Sequence, residues 1–300
     1  MTEKGSNKNP VIVLRGAVNT LFLNPIMGYP FILIVFIQLF LVEIIFFAPR
    51  YPLSIFFGPL IRYFNVQYFH YPYNFYLLVS WFQNEWLQYS IYILFNSFCL
   101  GAAAAIIYTL NNERNLNFKT IYQQTWRSYP HLVMATMASA CFIYFLSGSG
   151  RVSLYGMLVR RVLQIRSTEG TFFIIKQILL TSAPYINLIL ISFAMTMFAF
   201  IIPIIVIEKK NIFSALFLNF KVLRESFLQT FVIIFLPALL YVPLILIKAN
   251  NSLFQHLFSP DVSGIILIIS ILITVLIDAI QMVALTIYYL LRKESNEKND

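Results

Sequence analysis

Charge is what this 300-residue chain has least of: Asp, Glu, Lys and Arg together make up 11% of it, against about 25% in an ordinary soluble domain. Cysteine is nearly absent too. The 2 cysteines, Cys99 and Cys141, exclude a disulfide framework or a cysteine metal site and are expected to serve as small packing residues. The 3 histidines, His70, His131 and His256, lie far apart in the sequence. There is no HExxH, no GxSxG and no Walker A loop, and the serine inside the SGSG run at 147–150 has no acid–base partner nearby. No catalytic residue, metal or cofactor is assigned on these grounds, and the chain is expected not to be an enzyme.

What fills the sequence instead is apolar: 59% of residues are hydrophobic and the mean hydropathy is +0.77. No soluble core of this length hides so much apolar surface. Several runs exceed the roughly 18 residues needed to cross the hydrocarbon layer, and they do not alternate as the strands of a membrane β-barrel would. The expected fold is all-α, a polytopic helical membrane protein with about six transmembrane helices in one integral membrane domain spanning residues 1–300. Spans are placed near 26–48, 86–110, 130–146, 172–207, 230–247 and 262–291, and the fourth is read as one helix kinked at Pro184. An interfacial helix is expected at 11–24 and polar tails at 1–10 and 293–300. Residues 50–85, dense in Tyr and Phe and broken by Pro52, Pro59 and Pro72, suggest an aromatic outer lid at headgroup level. The small residues Gly101 to Ala105 predict close approach of a neighbouring helix.

The connector from Ile207 to Gln229, IEKKNIFSALFLNFKVLRESFLQ, is neither apolar enough to span nor polar enough to be a loop. Helical spacing puts Phe213, Leu216, Phe217, Phe220 and Leu223 on one face, the pattern of a helix lying in the membrane interface. A fainter copy at 113–129 carries Phe118, Ile121, Tyr122, Trp126 and Tyr129, which makes a weak internal repeat. The net charge of +9 is spread over every connector rather than gathered in one patch. It therefore predicts contact with lipid headgroups and not with nucleic acid. The basic candidates are Lys209, Lys210, Lys221 and Arg224, together with Arg160 and Arg161 of a connector that also holds Arg151 and Arg166. With six spans the larger share of the 21 Lys and Arg falls on the side of the termini, so both termini are expected to be cytoplasmic.

Polar residues inside the spans are few. Ser270, Thr274, Asp278 and Gln281 recur at i, i+4, i+8 and i+11 of the last span, one polar stripe on an otherwise apolar helix. Such a stripe faces a partner helix or a water-filled cavity, because facing lipid is costly. It reads either as an interhelical hydrogen-bond network or as a path for a proton, an ion or a substrate. Glu43 sits toward the outer end of the first span, where its carboxylate can snorkel to water.

One stretch resembles a known family. FIIPIIVIEKKNIFSALFLNF, with Pro203, Glu208, Ala215, Leu216 and Asn219 in order, is similar to the repeated segment of YciC-like proteins and of the membrane domains attached to some glycerophosphodiester phosphodiesterases. The Asn24–Pro25 step resembles the end of that family's first interfacial helix. The resemblance is strong over 202–224 and weak over 113–127. It implies a six-span protein of the bacterial cytoplasmic membrane whose membrane domain has no assigned catalytic residues. The expected function is a non-enzymatic accessory or scaffold module contacting lipid headgroups or a partner protein. Membrane lipids are the expected partners, with a membrane-protein partner or a homo-oligomer as further options. The alternative is a small transporter or permease using the stripe around Asp278.

Overall fold

Asn9 starts the first helix: its Oδ1 accepts a hydrogen bond from the Val11 N–H at 3.0 Å, and Pro10 takes the first helical position. The computed structural model describes residues 9–47, 55, 90, 92–112, 117–147, 153–164, 171–249 and 261–297. Apart from Ile55, the expected lid at 50–85 lies outside these residues, as do Arg151 and Arg166. Helix α1 (Pro10–Leu23) buries Val13, Leu14 and Ala17 and stops at Asn24, because a residue preceding proline is pushed out of the helical region. A 3-10 turn, Pro25–Gly28, then leads into α2 (Tyr29–Phe47), and the chain bends by 99° between the two helices.

A π-helical turn, Tyr92–Asn96, opens into α3 (Ser97–Asn111). Its residues Gly101 to Ala105 are all buried, and α3 packs closely along α4 (Phe118–Ser147). A methyl group replacing the Gly101 hydrogen would lie 2.5 Å from Leu132 Cδ1, so any side chain here forces Leu132 to shift and glycine permits the approach. The expected interfacial helix at 113–129 and span at 130–146 are continuous from Phe118, with Pro130 inside a helix of 30 residues. Pro130 withdraws one N–H without ending the helix. The turns before it are clamped by Phe98, whose ring meets Tyr122, Trp126 and Tyr129 at 5.9–6.1 Å, and by the Tyr129 hydroxyl donating to the Leu94 carbonyl.

After α5 (Leu154–Gln164), the expected fourth span is two helices, α6 (Thr171–Met197) and α7 (Ile201–Glu208). α6 runs on through Pro184, and the break falls at Phe198–Phe200. Pro203 is the physical cause: it has no N–H for the Ala199 carbonyl, and its ring crowds that carbonyl. Lys209 turns the corner in a left-handed conformation at φ 54°. Asn211 then caps α8 (Ile212–Ala238), its Oδ1 accepting from the Ser214 N–H. Non-helical Ser226 bends α8 between its amphipathic part and the following span. A 3-10 turn, Leu239–Tyr241, and α9 (Val242–Ala249) complete that span. α10 (Asp261–Glu297) continues past the expected end at 291, so residues 293–297 of the expected tail are helical.

Five of these stretches are long and apolar enough to cross a membrane, and a sixth is added when the bent α1–α2 pair is counted. Their hydroxyls are turned inward on themselves: Thr125, Thr136, Ser147, Ser192, Thr196, Thr230 and Thr286 each donate to the carbonyl four residues earlier. The short helix α7 is the hub, touched by α3, α4, α8 and α10, with Ile201, Ile204 and Ile205 fully enclosed.

Candidate functional site

The break that Pro203 forces at Phe198–Phe200 frees backbone groups inside the bundle. Asn219, fully buried on α8, meets two of them. Its Oδ1 accepts from the Phe200 N–H at 3.0 Å and its Nδ2 donates to the Met197 carbonyl at 2.7 Å. At the far end of α7, Glu208 accepts from the Tyr289 hydroxyl and lies 3.2 Å from Lys210 and 3.7 Å from Lys293. Arg292 binds Glu225 at 2.6 Å and reaches the Val222 carbonyl. These contacts tie the corner between α7 and α8 to the last turns of α10. Ala215 is fully buried where α8 presses on the core. The sequence pattern of Pro203, Glu208, Ala215 and Asn219 thus reads as the parts of one structural device: a break, its patch, its closest approach and its charged latch.

The face expected on α8 divides in two. Ile212, Ala215, Asn219 and Leu223 form the buried stripe, whereas Phe213 and Phe217 are 75% and 76% exposed and Phe220 is 51% exposed. The packing stripe is offset from the aromatic one because close contact with the core selects the small Ala215 and the hydrogen-bonding Asn219 over the larger phenylalanines. Lys221 and Arg224 are also exposed, and helical spacing sets them on the outward side with the phenylalanines. Lys209 is exposed at the corner and Lys210 is engaged by Glu208. On α5, Arg161 is exposed and Arg160 half-buried, beside exposed Leu154, Met157 and Leu158.

The polar stripe of α10 points inward but does not act as one cluster. Thr274 accepts a hydrogen bond from the Tyr241 hydroxyl at 2.8 Å and donates to the Ser270 carbonyl. Asp278 turns to α3's approach, where Asn96 Nδ2 donates to its Oδ2 at 2.9 Å. Gln281 Nε2 donates to the Ile234 carbonyl of α8 at 2.8 Å. Only Asp278 and Gln281 of the four line the half-open cavity of about 70 Å³ between α3, α4, α6, α7, α8 and α10, which they share with Thr136, Ser139, Phe198 and Ala199. Glu43 lies in α2, and its side chain is outside the described residues. Sequence reasoning missed Asn96 as the partner of Asp278, and Thr136 and Ser139 as lining residues; the one available signal was a polar Asn96 in a span.

Among the described residues no group of three His, Cys, Asp or Glu side chains could hold a metal ion. Fold and site together define an all-α, multi-pass protein embedded in a membrane. Comparison with protein-family models, with curated proteins and with solved structures finds no match for this chain.

Proposed function

We propose that this protein is a non-enzymatic membrane module that engages lipid headgroups through helices lying across the ends of its bundle. The observation that carries this reading is the outward face of α8, where Phe213, Phe217 and Phe220 stand exposed beside Lys221 and Arg224. Aromatic rings seek the boundary of headgroups and acyl chains, and lysine and arginine reach lipid phosphates from there. A helix pinned inward by Asn219 and latched through Arg292 and Glu225 presents that face rigidly. The same face suits a partner protein or a second copy of the chain seated at the membrane surface. The excess of basic residues around this corner supports a cytoplasmic location for it and for both termini. The resemblance over 202–224 supports a bacterial cytoplasmic membrane.

In nanodiscs, the chain is expected to melt at a higher temperature in anionic than in zwitterionic lipid, and Lys221→Gln with Arg224→Gln is expected to abolish the difference. Equal melting of the unaltered chain in both lipids would remove the ground for this reading. A second reading, a small transporter or permease, is favoured by the Asp278 cavity. Proteoliposome flux is its test.

A further inference from the structure

We propose that the cavity beside Asp278 is a binding site for a small monovalent cation, with the Asp278 carboxylate as its counter-charge. The proposal deepens the transport reading by naming its ligand, and it stands on the cavity rather than on the lipid-facing surface of α8.

Asp278 sits half-buried near the middle of the span Ile265–Ser295. Among the described residues its hydrogen-bond donor is Asn96, and no Lys or Arg forms an ion pair with it. A carboxylate in an apolar interior needs a compensating positive charge or a proton. The groups around it supply acceptors, not cations. Asn96, which touches Asp278 without lining the cavity, is 3% exposed and its Oδ1 is buried without a partner, since the amide's N–H side is spent on Asp278. Gln281 spends its own N–H on the Ile234 carbonyl, which leaves its Oε1 as an acceptor. Ser139 and Thr136 bring hydroxyl oxygens to the cavity wall.

The helix break contributes as well. Phe198 and Ala199 line the same cavity, and Pro203 offers no N–H to the Ala199 carbonyl. The Phe198 carbonyl is taken by the Ile201 N–H, which leaves the Ala199 carbonyl as the backbone oxygen on offer, the kind of group by which broken transporter helices hold sodium. All these donors are hard oxygens, which disfavours soft transition metals. A single carboxylate balances one positive charge, whereas calcium and magnesium sites recruit more carboxylate or many waters. The remaining wall, with Leu100, Met195, Ile234 and Met282, is apolar and favours a neutral ion pair over a net charge. At about 10–15 Å³ for each water, the cavity of about 70 Å³ admits an ion with a few waters.

The test uses the purified full chain in detergent, melted in sodium chloride and in choline chloride at equal ionic strength. Sodium is expected to raise the melting temperature saturably, and Asp278→Asn is expected to lose the response while still eluting as a folded protein. Ser139→Ala is expected to raise the half-saturating sodium concentration about tenfold. If Asp278→Asn does not fold, dicyclohexylcarbodiimide labelling of the unaltered chain decides. The peptide carrying Asp278 should be labelled in choline and protected by sodium over the range that raises the melting temperature. The proposal is overturned if sodium neither stabilises nor protects, or if Asp278→Asn responds as the unaltered chain does. Binding without flux would refute transport and leave this site standing; flux of another solute without sodium binding would do the reverse.

Discussion

Two polar clusters meet inside the bundle at Ala199, and they are finished differently. At the break between α6 and α7, Asn219 answers both the Phe200 N–H and the Met197 carbonyl, and at the other end of α7 Glu208 is met by Tyr289, Lys210 and Lys293. At Asp278 a carboxylate has Asn96 for company, and Asn96 keeps a buried oxygen without a partner. Buried polar groups that hold a fold together are expected to be satisfied. The first cluster fits that rule and the second departs from it. The contrast separates polar residues that specify the architecture from polar residues left available to something that enters.

The largest expected effect follows from the finished cluster. Asn219→Ala leaves a buried N–H and a buried carbonyl unmet at once, and should destabilise the protein by about 3 kcal/mol, read as a drop in melting temperature in detergent. A drop no larger than that of an exposed control such as Thr120→Ala would break the comparison. Next is the contact between α3 and α4: Gly101→Val drives carbon into Leu132, which is fully buried, and should cost about 2 kcal/mol. The unfinished cluster predicts the opposite sign. In sodium-free choline buffer Asp278→Asn should stabilise by about 1 kcal/mol, because the amide keeps an acceptor for Asn96 and removes the cost of either a buried charge or the proton uptake that neutralises it. A loss of stability there would place Asp278 with Asn219 among the fold-specifying residues. Smallest is Glu208→Gln, which weakens the ion pairs with Lys210 and Lys293 at a partly exposed corner but keeps an acceptor for Tyr289. A loss below about 1 kcal/mol that shrinks further in high salt is expected from chemical or thermal unfolding.

Much of the architecture was legible from local chemistry. Asn9 followed by Pro10 marks a helix start and Asn24 followed by Pro25 a helix end, and both act within one turn of where they stand. The small run from Gly101 predicted a close helix neighbour, and Leu132 is that neighbour. Prolines were harder to read. Pro184 and Pro130 sit inside helices that continue, whereas Pro203 coincides with a true break. At Pro203 the break is accommodated because Asn219 on α8 meets the Phe200 N–H and the Met197 carbonyl beside it. The aromatic face expected on α8 is exposed at Phe213, Phe217 and Phe220, as an interfacial helix requires, but the inward stripe of Ile212, Ala215 and Asn219 was not foreseen. Counting apolar residues favours Phe213, Phe217 and Phe220, and in a membrane protein the outward face is as apolar as the inward one.

By itself the sequence determined that this chain is helical, embedded in a membrane, poor in catalytic groupings and polar at one stripe of its last helix. Those are consequences of hydropathy and of a 3.6-residue period, which each segment expresses alone. Tertiary structure decided the partners: Asn96 lies 182 residues from Asp278 in the chain and 2.9 Å from it in space. Which polar group a helix turns toward which neighbour depends on the rotation and depth at which several helices lock together. That choice is made by small residues such as Gly101 and Ala215 fitting against distant side chains, and no local pattern encodes it.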